Sequence, residues 1–184
     1  MAISAPICNF GWKATDFELT DTFGAHKTLD NLRGPNGLLL MFICNHCPYV
    51  KAIIDRICRD AVDLQAMGFG VAAIMSNDPH AYPEDSFANM QKLAKSLNLP
   101  FPYLYDPTQG VARSYGAACT PDFFGFNKDL ELQYRGRLDS SGIKPAEPEA
   151  RRELIEAMRQ IAATGQGPAE QVASIGCSIK WRGQ

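Results

Sequence analysis

An apolar run that ends in a Cys-x-x-Cys motif constrains the fold of this chain more than any other feature. Residues 38–43 are continuously apolar, and the motif Cys-Asn-His-Cys occupies residues 44–47. Apolar residues then recur at three- and four-residue steps, at Val50, Ile53, Ile54, Ile57, Ala61 and Leu64. This pattern predicts a buried strand followed by a helix over about residues 48–66.

The two cysteines therefore lie at the N-terminus of the predicted helix. Cys44 and Cys47 are three residues apart, which brings them close enough to form a disulfide. The helix dipole and the unpaired N–H groups of the first turn favour a thiolate on Cys44. A cysteine pair that opens a helix after a buried strand is typical of a redox site.

Length and charge exclude several functional classes. A chain of 184 residues, 46% of them hydrophobic, is expected to form one domain over residues 1–184 with a sizeable core. The net charge is −2 and no basic cluster is present, which argues against nucleic acid as a partner. No run of about eighteen apolar residues occurs, so we expect no contact with a membrane.

The N-terminus and the cysteine count bear on location. Residues 1–9 carry neither a basic segment nor a long apolar segment, so we expect a cytoplasmic protein without a secretory signal. The six cysteines are Cys8, Cys44, Cys47, Cys58, Cys119 and Cys177. In a reducing cytoplasm these residues are interpreted as one catalytic or metal-binding pair plus separate thiols rather than a disulfide framework.

The remaining elements predict an α/β protein. Residues 1–14 are expected to be irregular, and a small hairpin follows over residues 17–29. A second apolar strand covers residues 71–75, and its continuous apolar character indicates a parallel sheet covered on both faces. The later predicted elements are a helix at 87–97, a strand at 101–105, a helix at 108–115, a Pro-entered hairpin at 118–135 and a last helix around 154–162.

This order of elements, with the Cys-x-x-Cys motif early and Thr120-Pro121 late, resembles the thioredoxin superfamily. The N-terminal hairpin and the insertion at residues 77–105 resemble its peroxiredoxin-like (AhpC/TSA) and TlpA-like branch. The resemblance covers about residues 8–164 and leaves residues 165–184 as a tail. It implies a thioredoxin-like fold with three α/β/α layers, a central mixed sheet and an extra N-terminal β-hairpin.

A closer resemblance is to a group of bacterial redoxins that carry the Cys-Asn-His-Cys motif. The similar segments are Cys44–Lys51, Ser76–Asp78, Pro102–Asp106, Gly116–Phe124, Tyr134–Gly136 and the tail that contains Cys177. These segments identify the family, but they do not identify the substrate.

The resemblance implies a role for each residue of the site. Cys44 is expected to be the exposed attacking thiol and Cys47 the buried resolving thiol. Pro121 is expected to be cis and next to the pair, and Thr120 is expected to present its backbone to a substrate chain. The implied activity is thiol–disulfide exchange, in which Cys44 attacks a disulfide and Cys47 releases the product from the mixed disulfide.

Three neighbouring residues receive further predictions. His46 is expected to favour a thiolate, which makes a pair more oxidising; because the TlpA-like branch contains reductants, the direction of the reaction stays open. Asp122 is a candidate for the buried acid that thioredoxins keep where this chain has Leu38. Cys119, together with Asp122, is assigned to the substrate-binding surface. An alternative disulfide, a metal ligand, an intermolecular bridge and a small buried core thiol stay open for Cys119.

Two alternative functions stay open. Cys44, His46, Cys47 and Cys119 offer ligands suited to Cu(I) or Zn(II). A metal-binding module ranks lower because a closed zinc site needs a second ligand pair. A thiol peroxidase shares the fold, but the pattern Pro-x-x-x-Thr-x-x-Cys is absent before either cysteine of the motif.

The expected partners follow from the implied exchange chemistry. The substrate is a disulfide-containing protein or a small thiol compound, and electrons come from a dithiol donor protein. No bound organic cofactor is needed. No sequence feature demonstrates a homodimer, which is left open.

Overall fold

A computed structural model of the chain describes residues 1–183. The strands are β1 (Ala2–Ser4), β2 (Glu18–Asp21), β3 (His26–Thr28), β4 (Gly37–Phe42), β5 (Phe69–Met75), β6 (Tyr103–Tyr105), β7 (Cys119–Thr120), β8 (Asp122–Phe126), β9 (Leu132–Tyr134) and β10 (Ile175–Ser178). The α-helices are α1 (Leu29–Leu32), α2 (Pro48–Ala66), α3 (Phe87–Ser96), α4 (Gly110–Ser114) and α5 (Glu153–Thr164), and a 3₁₀ turn covers Pro83–Asp85. In that part of the chain, every helix is too short or too polar to span a lipid bilayer.

A seven-stranded mixed sheet forms the centre of the fold, in the order β3-β2-β6-β5-β4-β8-β9. β4 is parallel to β5, as predicted, and β5 is parallel to β6. β8 pairs antiparallel with β4 and with β9. The predicted N-terminal hairpin of β2 and β3 extends the sheet through β6. The mixed α/β, thioredoxin-like architecture predicted from the sequence is confirmed.

Helices cover both faces of the sheet, and β4 is therefore buried along its whole length. Its alternate residues enter two separate cores. Leu39 and Met41 pack in the core that includes α2, α3 and α5. Leu38 and Leu40 pack in the core that includes α1 and α4. The central strand is therefore held from both sides, which fixes the position of the Cys-x-x-Cys motif at its end.

A second, three-stranded sheet was not predicted, and it has the order β1-β10-β7. The expectation that residues 1–14 are irregular is wrong for β1. β1 and β10 are too short to show an alternating pattern in sequence, and they form through tertiary pairing. The strand predicted to continue into Phe126 is split at Pro121, which has no N–H to donate to a ladder. That residues 1–184 form one domain stays a prediction.

A buried ion pair fixes the segment that connects β7 and β8. The Arg135 guanidinium donates to both carboxylate oxygens of Asp122, at 3.3 and 2.9 Å, and to the carbonyl of Gly116 at 2.8 Å. The side chains of Arg135 and Asp122 are 8% and 0% exposed. Because Asp122 follows Pro121 directly, this ion pair fixes the position of the Thr120–Pro121 loop between β7 and β8.

We expect Arg135→Ala to lower the free energy of unfolding by about 3–5 kcal/mol, because it leaves the Asp122 carboxylate buried without its partner. Urea denaturation followed by circular dichroism measures the change. Arg151→Ala is the matched control, since the Arg151–Glu156 pair is exposed to solvent and its loss is expected to change the free energy of unfolding far less. Equal changes in the two variants would contradict the assigned role of the buried pair.

Candidate active site at the Cys44–Cys47 dithiol

The Cys-x-x-Cys turn lies between β4 and α2, as the sequence predicted. Cys47 is the N-cap residue of α2, and Pro48 is the first helical residue. Proline is well suited to this position because the N–H groups of a first helical turn have no partner within the helix. The carbonyl of Cys47 accepts the first helical hydrogen bond, from Lys51 N–H at 3.0 Å.

Both sulfurs of the motif are covered. Cys44 is 1% exposed and Cys47 is 0% exposed. The burial expected for Cys47 is therefore confirmed, and the exposed position expected for Cys44 is wrong. On one side of the turn lies a covering segment, residues 77–86, whose Asp85 carboxylate is within 4.8 Å of the Cys44 sulfur and whose Tyr82 ring stacks on the His46 ring with the centroids 5.2 Å apart.

A buried carboxylate, Asp85, ties the turn to this covering segment. Its Oδ1 accepts hydrogen bonds from the backbone N–H groups of Asn45 at 2.8 Å and His46 at 3.3 Å. Its Oδ2 lies 2.6 Å from His46 Nδ1 and accepts a bond from Asn77 Nδ2 at 2.8 Å. The side chain is 0% exposed, which these four bonds make tolerable.

Sequence reasoning missed Asp85. The signal available was weak: Asp85 lies just before α3 and reads as a helix cap, although the structure has Ser86 at the N-cap position. Two of its three partner residues, Asn45 and His46, lie 40 and 39 residues earlier in the chain. The Asn45 side chain strengthens the same junction by donating to the carbonyl of Glu84 at 2.8 Å and accepting from the Tyr103 hydroxyl at 3.0 Å.

His46 faces Asp85 more closely than it faces a sulfur. Its Nδ1 is 2.6 Å from Asp85 Oδ2 and 4.0 Å from Cys44 Sγ. The imidazole therefore stands between the carboxylate and the sulfur, at the long limit of a hydrogen bond to the latter. The predicted stabilisation of a Cys44 thiolate by His46 stays a prediction.

Thr120 contacts both cysteines from the opposite side. Its hydroxyl Oγ1 lies 3.4 Å from Cys44 Sγ, and its carbonyl accepts a hydrogen bond from the Cys47 thiol at 3.1 Å. The Thr120–Pro121 peptide bond is cis, as expected. Both residues therefore lie beside the dithiol, where the sequence predicted them.

The two thiols ionise as a coupled pair. The hydrogen bond from the Cys44 thiol, together with others from Thr120 and from the backbone of Val50 and Cys177, lowers the pKa of Cys47 from 9.0 to about 4 despite its burial. The contact with Cys47, burial and the nearby Asp85 charge raise the pKa of Cys44. The first negative charge therefore favours Cys47, whereas the sequence predicted it on Cys44.

The contacts of Thr120 also fit the opposite distribution, with the proton on Cys47 and the negative charge on Cys44. When Cys47 keeps its proton, its thiol donates to the Thr120 carbonyl. The charge then lies on Cys44, where the Thr120 hydroxyl can donate to it. One residue thus supplies an acceptor for the proton on Cys47 and a donor for a thiolate on Cys44.

Cys119 and Asp122 lie near this site but are covered. Cys119 is 0% exposed, and its sulfur faces the Pro121 carbonyl at 3.5 Å. Burial raises the pKa of the Cys119 thiol. Burial also raises the pKa of Asp122, against the opposing effect of Arg135. Their predicted substrate-binding role stays a prediction, and the oxygens of Asp122 are engaged by Arg135 and by the Ala118 N–H.

β10 occupies the backbone edge beside Pro121. Cys177 pairs with Thr120 in the antiparallel β10–β7 ladder. The Cys177 side chain packs against the core cluster that contains Cys47, and the two residues shift each other's pKa. The edge that Thr120 was expected to present to a substrate chain is therefore paired with the tail of the protein itself.

The potential metal ligands group differently from the prediction. Among the described residues, Cys44, His46 and Asp85 place one ligand atom each within 4.8 Å of one another. Cys47 and Cys119, which were predicted to complete the set, are not in this group. The His46 nitrogen that would bind a metal already contacts Asp85.

An apolar groove runs next to Pro121 on the surface. Its volume is about 300 Å³, and its walls include Tyr49, Ile53, Pro121, Phe123, Ile143 and Ile175. Ile143 and Ile175 are each 55% exposed. An exposed apolar groove beside a reactive pair is suited to hold an apolar side chain of another molecule.

We expect Asp85→Asn to make the midpoint potential of the dithiol less negative by roughly 15–30 mV, because removing a negative charge lowers the pKa of Cys44 and stabilises the reduced form. Titration against dithiothreitol with thiol alkylation measures the midpoint. Glu84→Gln is the matched control, since it removes one charge from the adjacent, exposed side chain. Equal shifts in both variants, or a more negative midpoint in Asp85→Asn, would refute this role of Asp85.

Comparisons with solved structures give two full-length relatives. A conserved protein of uncharacterised function from Geobacillus kaustophilus is 43% identical, with 100% of this chain and 98% of that chain covered and a TM-score of 0.92. A hypothetical protein from Sinorhizobium meliloti 1021 is 36% identical, with 98% of each chain covered and a TM-score of 0.86.

A third structure supports the fold alone. It is a candidate protein disulfide isomerase from Bacteroides thetaiotaomicron, 18% identical, with 86% of this chain and 93% of that chain covered and a TM-score of 0.66. No curated protein matches the chain. The profile of the AhpC/TSA family matches residues 10–135, which include the dithiol turn and the Thr120–Pro121 loop. Because this match covers more than half of the sequence, the chain belongs to the AhpC/TSA family of thioredoxin-fold redoxins.

Proposed function

We propose that the protein is a thiol–disulfide oxidoreductase whose reactive pair is Cys44 and Cys47. One observation carries this proposal: both thiols lie at the start of α2 against the same residue, with Thr120 Oγ1 3.4 Å from Cys44 Sγ and the Thr120 carbonyl 3.1 Å from Cys47 Sγ. Membership of a redoxin family supports a redox role of this kind. The reaction uses only the side chains and backbone of the chain, and electrons come from a dithiol protein.

In the first step, Cys44 attacks one sulfur of a substrate disulfide. Cys47 keeps its proton, and its thiol donates to the Thr120 carbonyl 3.1 Å away, so that the negative charge lies on Cys44. The Thr120 hydroxyl donates to that thiolate over 3.4 Å. A bond forms between Cys44 and the substrate, the substrate disulfide breaks, and the other half of the substrate leaves as a thiolate.

In the second step, Cys47 resolves the mixed disulfide. Its thiol loses the proton, and the backbone N–H groups of Val50 and Cys177 stabilise the charge. Cys47 attacks Cys44, the Cys44–Cys47 disulfide forms and the second half of the substrate leaves as a thiol. The substrate has gained two electrons and the protein has lost two. The same steps in reverse oxidise a dithiol, so the direction depends on the midpoint potential.

The surroundings of the pair favour a protein substrate. The apolar groove beside Pro121 offers a place for an apolar side chain near the substrate disulfide. Because Cys44 is covered, the covering segment or β10 has to move before a bulky substrate reaches the sulfur.

We expect Cys47→Ser to accumulate a mixed disulfide through Cys44 when it is mixed with a peptide that contains one disulfide. The resolving thiol is absent, so the intermediate persists. Cys44→Ser is expected to exchange at least roughly 100-fold more slowly than the wild type, because the attacking thiol is lost. Mass spectrometry identifies the linked cysteine, and stopped samples give the rates.

Cys58→Ser serves as the control, since Cys58 lies on α2 outside the site and is expected to keep the wild-type rate. A Cys44→Ser variant with the wild-type rate would overturn the proposal. A Cys47→Ser variant that traps the peptide through a cysteine other than Cys44 would also overturn it.

A thiol peroxidase is the second candidate, and the family match supports it. The Thr120 hydroxyl lies 3.4 Å from the Cys44 sulfur, where it can donate to a thiolate that attacks a peroxide. Loss of hydrogen peroxide in the presence of a dithiol donor, with Cys44→Ser inactive, would favour this activity. Disulfide exchange without loss of peroxide would eliminate it.

Metal binding is favoured by the grouping of Cys44, His46 and Asp85. It ranks below redox exchange because three ligands do not close a structural zinc site and His46 Nδ1 already contacts Asp85. Equilibrium dialysis of the reduced protein against Zn(II) and Cu(I) separates the two functions. Tight uptake that His46→Ala abolishes would favour the metal site.

A further inference from the structure

The tail strand β10 brings a third thiol to the reactive pair. Cys177 lies opposite Thr120 in the β10–β7 ladder, and Ser178 lies opposite Cys119. The Cys177 side chain packs against the core cluster that contains Cys44 and Cys47, close enough to Cys47 for each thiol to shift the pKa of the other. Cys177 is half-buried, whereas Cys44 and Cys47 are buried.

Close contacts with the Ala118–Pro121 segment fix the position of β10. Gly176 lies so close to the proline loop that an added Cβ would be 2.1 Å from the Thr120 carbonyl oxygen. The Ser174 hydroxyl donates to the Pro121 carbonyl at 2.7 Å. On the other side, the Ile179 N–H donates to the Ala118 carbonyl at 3.0 Å. These contacts on both sides of Cys177 hold its side chain against the dithiol.

We propose that Cys177 is a third redox thiol, which takes over the disulfide by attacking Cys47 and releasing Cys44. This inference rests on the proposed function, which forms the Cys44–Cys47 disulfide. In the transfer, the Cys44–Cys47 bond breaks and a Cys47–Cys177 bond forms. Electrons are redistributed among three sulfurs without net oxidation or reduction.

The proton balance fits the environments of the three thiols. Cys177 gives up its proton to become the attacking thiolate, and Cys44 leaves as a thiolate that takes up a proton. Burial raises the pKa of Cys177 to about 11, with smaller opposing effects from Lys180 and the N-terminus. Burial and the nearby Asp85 charge raise the pKa of Cys44, so the released thiolate takes up that proton.

The transfer moves the disulfide towards the surface. Cys47 is buried, and the half-buried Cys177 gives a dithiol donor protein a more accessible sulfur to attack. Two electrons from that donor reduce the Cys47–Cys177 disulfide and restore all three thiols. Cys177 would therefore separate the sulfur that meets the substrate from the sulfur that meets the donor.

The test uses the full-length Cys44→Ser variant, oxidised with diamide and digested without reduction. We expect mass spectrometry to find Cys47 linked to Cys177 as the main intramolecular disulfide. A Cys47–Cys119 link, links between molecules alone or no link would overturn the inference. Cys119 is the relevant competitor because it also lies beside Pro121, although its sulfur faces the Pro121 carbonyl.

The wild type, oxidised in parallel, separates this inference from the proposed function. A wild type that forms Cys44–Cys47, combined with a Cys44→Ser variant without Cys47–Cys177, overturns the inference alone. A wild type that forms neither a Cys44–Cys47 nor a Cys47–Cys177 disulfide overturns the proposed function as well.

A second variant tests the geometry with both partners of the proposed link, Cys47 and Cys177, kept. Cys44→Ser combined with Gly176→Ala places a methyl group against the Thr120 carbonyl. We expect the Cys47–Cys177 link to form about tenfold more slowly, because the attacking sulfur is displaced. Cys44→Ser with Gly183→Ala is the control, since a Cβ at Gly183 meets no atom within 4 Å. An unchanged rate in the Gly176 variant would count against the proposal.

Discussion

Four hydrogen bonds to the buried Asp85 carboxylate hold the reactive turn in place. A carboxylate removed from water is strongly destabilising unless donors surround it. Here three of the donors belong to Asn45 and His46, inside the Cys-x-x-Cys motif. The bonds therefore join the turn to the covering segment at residues 77–86, and neither part can move freely without the other. The burial of Cys44 and the orientation of His46 both follow from this junction.

Thr120 and Pro121 contact the dithiol from the side opposite Asp85. The buried Arg135–Asp122 pair fixes the position of these two residues. Thr120 offers one hydroxyl and one carbonyl to two thiols, which allows a single negative charge to lie on either sulfur. Its backbone edge is then paired by β10. A substrate chain that pairs with the backbone of Thr120 would therefore have to displace β10 from the same edge.

The sequence predicted what local patterns determine. The apolar run at residues 38–43 and the helical spacing after Cys47 located β4, α2 and the dithiol, because both elements are long and strongly patterned. The position of Pro121 followed from the resemblance. Asp85 was missed, since its partners are distant in the chain and its own neighbourhood resembles a helix cap. β10 was missed because a strand of four residues is stabilised by tertiary pairing, which leaves no periodicity to detect. Cys44 was expected to be exposed because the residues around it, in the segment 77–86 and at Thr120, are distant in the chain and cannot be predicted from the motif.

The central claim is that Cys44 and Cys47 form a reversible dithiol–disulfide pair, and a redox titration tests it most directly. The protein is equilibrated over a range of dithiothreitol ratios, alkylated and analysed peptide by peptide. The account predicts a two-electron transition at this pair, with a midpoint between about −270 and −120 mV. A pair that stays reduced across that range, or a transition that involves other cysteines and leaves Cys44 unchanged, would contradict it.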